Sequence, residues 1–320
     1  MNAAGAGTEL LPWQEGTWSR IEAMLEAGRP PHGLLLHGPG GIGKRRLGAR
    51  IAGAILCVGP RAQSGSGPGS GTGSGPCGEC RSCRLLAAGS HPDFLRIEPG
   101  EGEAVIPIGS VRDLIDRFTL TAERARVAVI APAEAMNQAA ANAFLKTLEE
   151  PAGNATFILA SDAPGRLPAT VRSRCRKMAV PAPARGEALA WLETKANPVL
   201  ARHLLDLSGG APLAAVELGE RHGEEALAAL HAETAALLGG VADPIEVAGG
   251  WRKLGDGGLV LSALFAALQD LARRGVAEPD RLYAAVDDVV ETRRQWLEVP
   301  GLNEQLLYEG LALRCAGTAA

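Results

Sequence analysis

Aromatic residues, long apolar runs and net charge are all scarce in this sequence. Phe, Trp and Tyr together make up 4% of the 320 residues, so Ala, Leu, Val and Ile must build the hydrophobic cores. No apolar run approaches the roughly 20 residues that a transmembrane helix needs. A net charge of −4 argues against tight binding of nucleic acid by this chain alone, because Lys and Arg supply most non-specific affinity for phosphates. This charge does not exclude a DNA-facing surface that the chain shares with other subunits of a larger assembly.

A secretory signal is also missing from the start of the sequence. Residues 1–16 contain neither a basic segment nor an apolar segment, so we expect a cytoplasmic protein. In that compartment the six cysteines are more often metal ligands or buried thiols than disulfides. The length of 320 residues predicts two or three domains.

The first half of the chain alternates strand and helix patterns, which predicts an α/β fold with a doubly wound parallel sheet. The strand patterns lie at 33–38, 126–130 and 156–160, and the helix patterns at 110–118 and 137–150. Ser110 and Asp113 resemble a capping box at the start of a helix. In such a sheet, ligands bind at the carboxyl ends of the strands.

Prolines at 180–185 mark a domain boundary, and the sequence beyond it has helical patterns only. We predict an α/β domain at 1–182 with an insertion at about 57–90, a small helical domain at 183–222 and an all-helical domain at 223–320. The tract 59–76 is rich in Gly, Ser and Pro and is expected to be a flexible excursion. Near the end, one helical face carries Leu302, Leu306, Gly310 and Leu313.

The segment HGPGGIGKRR (37–46) has the spacing of a phosphate-binding loop. Gly38 and Gly43 would let backbone N–H groups turn toward phosphates, and Lys44 would reach the outer phosphates. The next position should supply a Ser or Thr hydroxyl to Mg²⁺, but it is Arg45. The loop is therefore degenerate at its metal-binding position.

Hydrolysis also needs acidic residues at the end of a neighbouring strand. The predicted strand 126–130 is followed by Ala131 and Pro132, and Glu134 is interpreted as a polar residue near a helix start. Two parts of a magnesium site are thus missing, which indicates that hydrolysis has been lost. Lys44 still permits nucleotide binding, and whether ATP binds stays open.

Cys77, Cys80 and Cys83 form a C-x2-C-x2-C pattern, whose thiolates can converge on one tetrahedral metal ion. Cys57 is the expected fourth ligand of a structural zinc site, and His91 is the alternative. A redox loop is less favoured in a cytosolic chain, and a DNA-reading zinc finger would need a basic recognition helix. The remaining thiols, Cys175 and Cys315, are expected to be buried.

Residues 167–178 carry four basic side chains, Arg172, Arg174, Arg176 and Lys177. We interpret three of them as the solvated basic end of a short helix. Arg174 is set apart because it lies between Ser173 and Cys175.

The segments NAFLKTLEEP (142–151) and LPATVRSRC (167–175) resemble the clamp-loader branch of the AAA+ ATPases. Residues 88–99 and 299–314 are also similar to that family. The resemblance implies a P-loop AAA+ (RecA-like) domain, a helical lid domain at 183–222 and a C-terminal collar domain at 223–320. It further implies a zinc module after the P-loop helix and a Ser173-Arg174-Cys175 motif, whose arginine acts in trans on ATP in a neighbouring subunit.

The resemblance implies a non-hydrolysing subunit of the bacterial DNA polymerase III clamp loader. Its partners would be the ATPase subunits (gamma/tau) and the delta subunit and, through the complex, the sliding clamp and primed DNA. Residues 208–218 contain no arginine where active relatives carry a nucleotide sensor, which agrees with a silent site. The alternatives are an ATP-hydrolysing motor subunit of the gamma/tau type and a zinc-containing nucleic-acid-binding protein. On the first reading the chain has no enzymatic activity of its own, although it belongs to a polymerase holoenzyme.

Overall fold

The computed structural model describes residues 9–319 except 29, 60–74, 101, 120–124, 152 and 300. The chain divides into two compact units, Met1–Pro183 and Ala184–Ala320, and the division falls in the proline-rich segment 180–185. The predicted excursion at 59–76 lies almost entirely outside the described residues. A further division of the second unit at residue 222 stays a prediction.

The first unit alternates strands with helices, as its sequence patterns predict. Its strands are β1 (Gly33–His37), β2 (Phe94–Ile97), β3 (Arg126–Ile130), β4 (Ala155–Ser161) and β5 (Arg176–Ala179). Its helices are α1 (Glu15–Glu26), α2 (Lys44–Leu56), α3 (Arg81–Ala87), α4 (Ile108–Thr119), α5 (Gln138–Glu149) and α6 (Ala169–Arg174). Short 3-10 helices lie at Pro12–Gln14, Ala133–Ala135 and Pro164–Arg166.

The five strands form one parallel sheet in the order β2-β3-β4-β1-β5. This confirms the predicted doubly wound α/β fold. Strand β4 is buried along its whole length, as a central strand covered on both faces must be. Strand β1 lies between β4 and β5, with Leu34 paired to Ile158 on one side and to Arg176 on the other.

The sequence patterns missed the two edge strands, β2 and β5. Arg176 and Lys177 lie in β5 and not at the end of a helix, so their predicted placement is wrong. An edge strand pairs on one side only, which leaves room for exposed charged residues that mask its strand pattern. Both side chains are exposed, as predicted.

Hydrophobic cores cover the two faces of the sheet. On one face Phe157 of β4 contacts Phe144 of α5 edge-on, with ring centroids 5.2 Å apart, and Phe118 of α4 at the same distance. On the other face Ile158 packs with residues of α1 and α2. Successive residues of β4 point to opposite faces, so each core receives alternate side chains of the same strand.

The first residue of α4 is determined by packing, and that of α5 by a side-chain cap. The predicted capping box at Ser110 is wrong, because α4 already begins at Ile108. The buried Ile106, which bridges to Met136, fixes the chain just before that helix. Helix α5 begins at a true cap, since Asn137 Oδ1 accepts the N–H of Ala140 at 2.8 Å.

The second unit is entirely helical. Its helices are α7 (Arg185–Leu192), α8 (Pro198–Leu207), α9 (Pro212–His222), α10 (Glu224–Leu238), α11 (Pro244–Leu254), α12 (Gly257–Arg274), α13 (Pro279–Glu298) and α14 (Glu304–Cys315). One core, built mainly of Leu and Ala with Trp251 and Tyr308 in edge-on contact, includes residues from 184–222 and from 223–320. Within the described ranges no helix combines the length and the apolar character that crossing a membrane requires.

Replacing Phe157 with Ala is expected to lower the free energy of unfolding by about 3–5 kcal/mol, because the side chain is fully buried between two other rings. Urea denaturation followed by circular dichroism measures the change. Phe157→Leu keeps most of the volume and serves as the matched control, with a smaller loss. Equal losses in the two variants would contradict the packing described here.

Candidate functional site

The phosphate-binding loop connects β1 to α2, the strand–loop–helix context that its glycine pattern predicts. Gly43 has a left-handed backbone with φ of 89°, which favours glycine. A Cβ at Gly38 would lie 2.1 Å from the carbonyl oxygen of Val180, so no larger residue fits there. The loop therefore keeps the backbone of an anion cradle at the carboxyl end of the sheet.

Lys44 is the first residue of α2 and its side chain is only 4% exposed. Its ammonium donates to the carbonyl oxygens of Gly38, at 2.8 Å, and Pro39. It also forms an ion pair with Asp162, in which Nζ lies 2.6 Å from Oδ1. Three acceptors of the chain itself thus hold the lysine ammonium that would meet a phosphate.

Sequence reasoning missed Asp162. It follows β4 directly, and β4 is the neighbour of the strand that leads into the loop. Polar residues at the carboxyl ends of adjacent parallel strands meet at one edge, so the residue after the predicted strand 156–160 carried a usable signal.

Glu134 ties the ends of β3 and β4 together. Its Oε1 accepts the backbone N–H groups of Asp162, at 2.9 Å, and Ala163, at 3.1 Å. The sequence interpretation of Glu134 as an ordinary polar residue was therefore incomplete. By holding this backbone, Glu134 fixes the position from which Asp162 reaches Lys44.

The 3-10 helix Pro12–Gln14 holds the phosphate-binding loop through hydrogen bonds to carbonyl groups of the loop. Trp13 Nε1 donates to the carbonyl of Ile42 at 2.9 Å, and Gln14 Nε2 donates to the carbonyls of Ile42 and Gly43 at 3.1 and 3.0 Å. Gln14 is fully buried, so these bonds are shielded from water. No sequence pattern pointed to either residue.

The positions that should hold magnesium carry other groups. The side chain of Arg45 is 59% exposed, with its guanidinium 3.9 Å from Glu98 Oε1. Ala131 and Pro132 follow β3, where carboxylates would be needed. Near this edge Asp162 pairs with Lys44, and Oε1 of Glu134 accepts backbone N–H groups. The arrangement can cradle an anion, but it lacks the ligands that a hydrolytic magnesium site uses.

The four cysteines predicted as metal ligands come together beside the end of α2. Their sulfur atoms all lie within 4.8 Å of one another, and the pairs Cys57–Cys80 and Cys77–Cys83 are each 3.9 Å apart. A tetrahedral ion with bonds of about 2.3 Å to sulfur has ligand separations of about 3.8 Å. These four sulfurs are thus placed to hold a metal ion.

Backbone N–H groups point at these sulfurs. Burial alone would raise the pKa of Cys80, but hydrogen bonds from the N–H groups of Cys83 and Val58 outweigh it and lower the pKa to about 6. Burial and neighbouring sulfurs raise the pKa of Cys83 to about 12. Donors aimed at sulfur favour the thiolate form that a metal binds.

His91, the alternative ligand, is engaged elsewhere. Its Nδ1 accepts the N–H of Asp93 at 3.1 Å, so Nε2 carries the proton and donates to Ser82 Oγ at 2.8 Å. Ser82 in turn donates to the carbonyl of Leu56 at 2.6 Å. Burial lowers the pKa of His91, in keeping with a neutral ring. His91 therefore ties the insertion to the end of α2 and does not belong to the sulfur cluster.

Arg174 is the last residue of α6, and its side chain is 37% exposed. One guanidinium nitrogen donates to the carbonyl of Thr170 at 3.0 Å, and another is paired with Glu149 at the end of α5. The arginine is thus held in a defined direction while remaining accessible from solvent.

The two neighbours of Arg174 position it. Ser173 Oγ donates to the carbonyl of Thr170 at 3.0 Å. Cys175 is buried as predicted, and a Cβ at Gly33 would lie 3.1 Å from its sulfur. Burial raises its pKa to about 11, so the thiol stays neutral and packs against the start of β1. Cys315 is also buried, and burial raises its pKa to about 12.

A five-stranded parallel sheet in this order, with a glycine loop and lysine after β1, defines a P-loop protein of the AAA+ type. The fold matches that of a DNA polymerase III gamma-subunit-related protein from Thermotoga maritima, with a TM-score of 0.54 and 17% identity over 96% of this chain and 100% of that one. Residues 13–184 match the family model described as DNA polymerase III, delta subunit, and residues 251–316 match the model of its C-terminal part.

Two bacterial proteins show to which family of DNA polymerase III subunits the chain is related. The DNA polymerase III subunit delta' of Escherichia coli is 31% identical, over 95% of this chain and 94% of its own length. That of Pseudomonas aeruginosa is 42% identical over 68% of this chain, and the match spans 62% of the Pseudomonas protein. The chain belongs to the delta' family of DNA polymerase III subunits.

Protein purified without chelators is expected to contain one metal ion per chain, and Cys80→Ser is expected to lose it, because a tetrahedral thiolate site needs all four sulfurs. Elemental analysis measures the content, and the absorption bands of the Co²⁺-substituted protein report tetrahedral thiolate ligation. Cys315→Ala removes a thiol outside the cluster and serves as the control. Full metal content in Cys80→Ser would remove Cys80 from the ligand set.

Proposed function

We propose that this chain is a non-hydrolysing subunit of the bacterial DNA polymerase III clamp loader. In this role it helps the loader place the sliding clamp on primed DNA, and Arg174 acts in trans at the ATP site of a neighbouring ATPase subunit. The placement of Arg174 relative to the chain's own phosphate-binding loop carries this proposal.

Arg174 lies at the opposite end of the sheet from its own loop. Arg176 pairs with Leu34, and the carbonyl of Arg174 lies against Gly33 at the amino end of β1. The loop follows His37 at the carboxyl end, four residues or roughly 13 Å further on. This separation exceeds the reach of an arginine side chain, so any phosphate that Arg174 contacts belongs to another molecule.

The chain's own site supports a non-hydrolysing role. Arg45 replaces the magnesium-binding hydroxyl, the residues after β3 are not carboxylates, and Lys44 is already paired. An arginine given in trans stabilises charge on the transferred phosphoryl, and in GTPases it accelerates hydrolysis by about 10³–10⁵-fold. A subunit can therefore contribute to hydrolysis without performing it.

Arg174 can exchange its partner Glu149 for a phosphate at little cost. The two side chains are 37% and 48% exposed, and solvent-exposed pairs contribute only about 0–1 kcal/mol. Breaking this pair to meet a phosphate therefore costs little. Until a neighbour docks, Glu149 keeps the guanidinium extended from α6.

Arg174→Ala is expected to slow ATP hydrolysis at the adjacent site of the reconstituted loader by about three orders of magnitude or more while leaving assembly intact. Rapid-quench measurement of DNA-stimulated hydrolysis tests the rate, and size-exclusion chromatography tests assembly. Arg174→Lys keeps a positive charge but loses the planar fork, and we expect it to rescue little.

Arg166→Ala removes an exposed arginine from the same segment and serves as the control. Equal hydrolysis rates in the Arg174→Ala and wild-type loaders would overturn the trans role.

An ATP-hydrolysing motor subunit is the competing function. It is favoured by the retained Lys44 and by similarity to the tau subunit of Bacillus subtilis, 32% identical over 51% of this chain and 27% of that protein. Mg²⁺-dependent ATP turnover by the purified chain alone, abolished in Lys44→Ala, would establish this function in place of the proposed one.

We further propose that the cysteine cluster holds a structural zinc ion. The cluster joins the end of α2 to α3 across the Gly/Ser-rich tract, and 19 residues (58–76) separate Cys57 from Cys77. Closing a longer loop costs only about 0.6 kcal/mol for each doubling of its length, so the tract does not prevent metal binding. The site lacks an open ligand position, which fits a structural role in a cytoplasmic protein.

The second unit presents apolar stripes that suit contacts with partner subunits. Tyr283, Val290 and Leu297 recur every seven residues along α13 and are 68%, 56% and 66% exposed. Leu306 and Leu313 do the same on α14, at 64% and 58%. We infer that these stripes pack against the gamma/tau and delta subunits in a helical collar.

Leu297→Asp is expected to weaken assembly at least about tenfold, because a buried unpaired carboxylate disfavours an apolar contact. Co-elution with the other loader subunits over a concentration series measures the change. Val105→Asp alters an exposed apolar residue of the first unit, 47% exposed, and provides the control. Unchanged co-elution of Leu297→Asp would exclude its stripe from the interface.

A further inference from the structure

We propose that the carboxylate of Asp162 is a built-in counter-ion that fills the phosphate position of the loop and excludes nucleotides from it. The device deepens the proposed silent role and rests on it, since it explains why the loop of such a subunit stays without nucleotide although Lys44 is retained. The expected ligand, once Asp162 is neutralised, is the polyphosphate of a nucleotide.

The two oxygens of Asp162 span the loop. Oδ1 lies 2.6 Å from the Lys44 ammonium. A Cβ built on Gly40 would lie 3.0 Å from Oδ2, so the second oxygen reaches the loop itself. In a phosphate-binding loop, the space between the lysine and the loop backbone belongs to the outer phosphates. The carboxylate therefore takes the place of the ligand's oxygens.

The burial of Lys44 opposes the loss of its partners. The Lys44 side chain is 4% exposed, so water does not readily replace a lost partner, whereas the Asp162 carboxylate is 52% exposed and is screened by solvent on its outer side. The carbonyls of Gly38 and Pro39 saturate the remaining ammonium hydrogens. A phosphate must therefore break existing bonds, because the lysine has no free donor to offer.

Asp162 also has limited freedom to move away. Glu134 holds the backbone N–H groups of residues 162 and 163, which restrains the segment that follows β4. A displaced carboxylate would stay near the entering phosphates, and juxtaposed like charges oppose binding. Nucleotide is thus excluded in two ways. The Lys44 ammonium is already paired, and the Asp162 carboxylate repels the phosphates.

The opposite role, a ligand for a magnesium ion carried by the nucleotide, predicts the opposite effect of neutralising this residue. A magnesium ligand would raise nucleotide affinity, whereas an internal counter-ion lowers it. Two observations favour the counter-ion. Oδ1 of Asp162 contacts the Lys44 ammonium directly. In addition, Arg45 stands where a magnesium site needs a hydroxyl. The sign of the change in affinity therefore separates the two roles.

The test is calorimetric titration of the full chain with ATP and with pyrophosphate, each with and without Mg²⁺. We expect no detectable binding to the wild type at millimolar ligand and detectable binding to Asp162→Asn, whose affinity should exceed the detection limit for the wild type by about tenfold or more. Asn has the shape of Asp, and the side chain is 52% exposed, so the variant is expected to fold. Asp162→Ala is the second variant, and circular dichroism checks both.

Two control variants test whether the release of Lys44 causes the gain in affinity. Asp113→Asn removes one negative charge from α4, and its affinity should match the wild type. The double variant Asp162→Asn/Lys44→Ala should lose the gain, because the lysine is the group that the substitution frees.

Tight binding of ATP by the wild type, no gain in affinity or a loss of affinity in the Asp162 variants, or an equal gain in Asp113→Asn would each overturn the proposal. The trans role of Arg174 is tested separately in the loader. A failure there with a gain in Asp162→Asn would remove the proposed function but leave the counter-ion.

Discussion

Strand β1 determines the arrangement of the first unit, because the phosphate-binding loop and Arg174 lie at its two ends. In its register, Leu34 of β1 is paired with Ile158 of β4 on one side and with Arg176 of β5 on the other. The phosphate-binding loop follows one end of the strand, and Arg174 lies against the other. A shift of one residue in this pairing would turn every core side chain of β1 to the wrong face. The separation of loop and arginine is therefore a property of the sheet.

The loop lysine and the loop carbonyls find their partners within the chain. Backbone carbonyls and Asp162 hold Lys44, Glu134 accepts backbone N–H groups, and Trp13 and Gln14 bind the carbonyls on the far side. A motor must leave such groups available to a ligand that comes and goes. Here they hold the loop in one conformation through contacts within the chain.

Local patterns predicted the central strands, the phosphate-binding loop and the sulfur cluster, because each depends on residues close together in sequence. The loop glycines and Lys44 lie within seven residues (38–44), and three of the four cysteines within seven (77–83). The edge strand β5 was missed because solvent on one side removes the apolar pattern. The capping box at Ser110 failed since Ile106, packed before the helix, fixes its start.

Asp162, Glu134 and Gln14 could not be predicted as a group, because their contacts join segments far apart in the chain. Glu134 and Asp162 are 28 residues apart, and Gln14 meets the loop 28 and 29 residues away. Glu134 and Gln14 are ordinary polar residues in their own segments, and Asp162 is marked only by its place after a strand. Only the parallel sheet brings the ends of β3, β4 and β1 to one edge, where their hydrogen bonds form.

Helix α2 starts at Lys44 and ends beside Cys57, so one rod connects the loop to the sulfur cluster. A helix secured at both termini cannot slide or rotate along its axis without disturbing one of them. A cycling nucleotide site would require such adjustments. On the proposed function, a first unit held in this way would act as a stator, a part whose shape is set once, at folding, and it would present Arg174 to the neighbouring subunit from a fixed body.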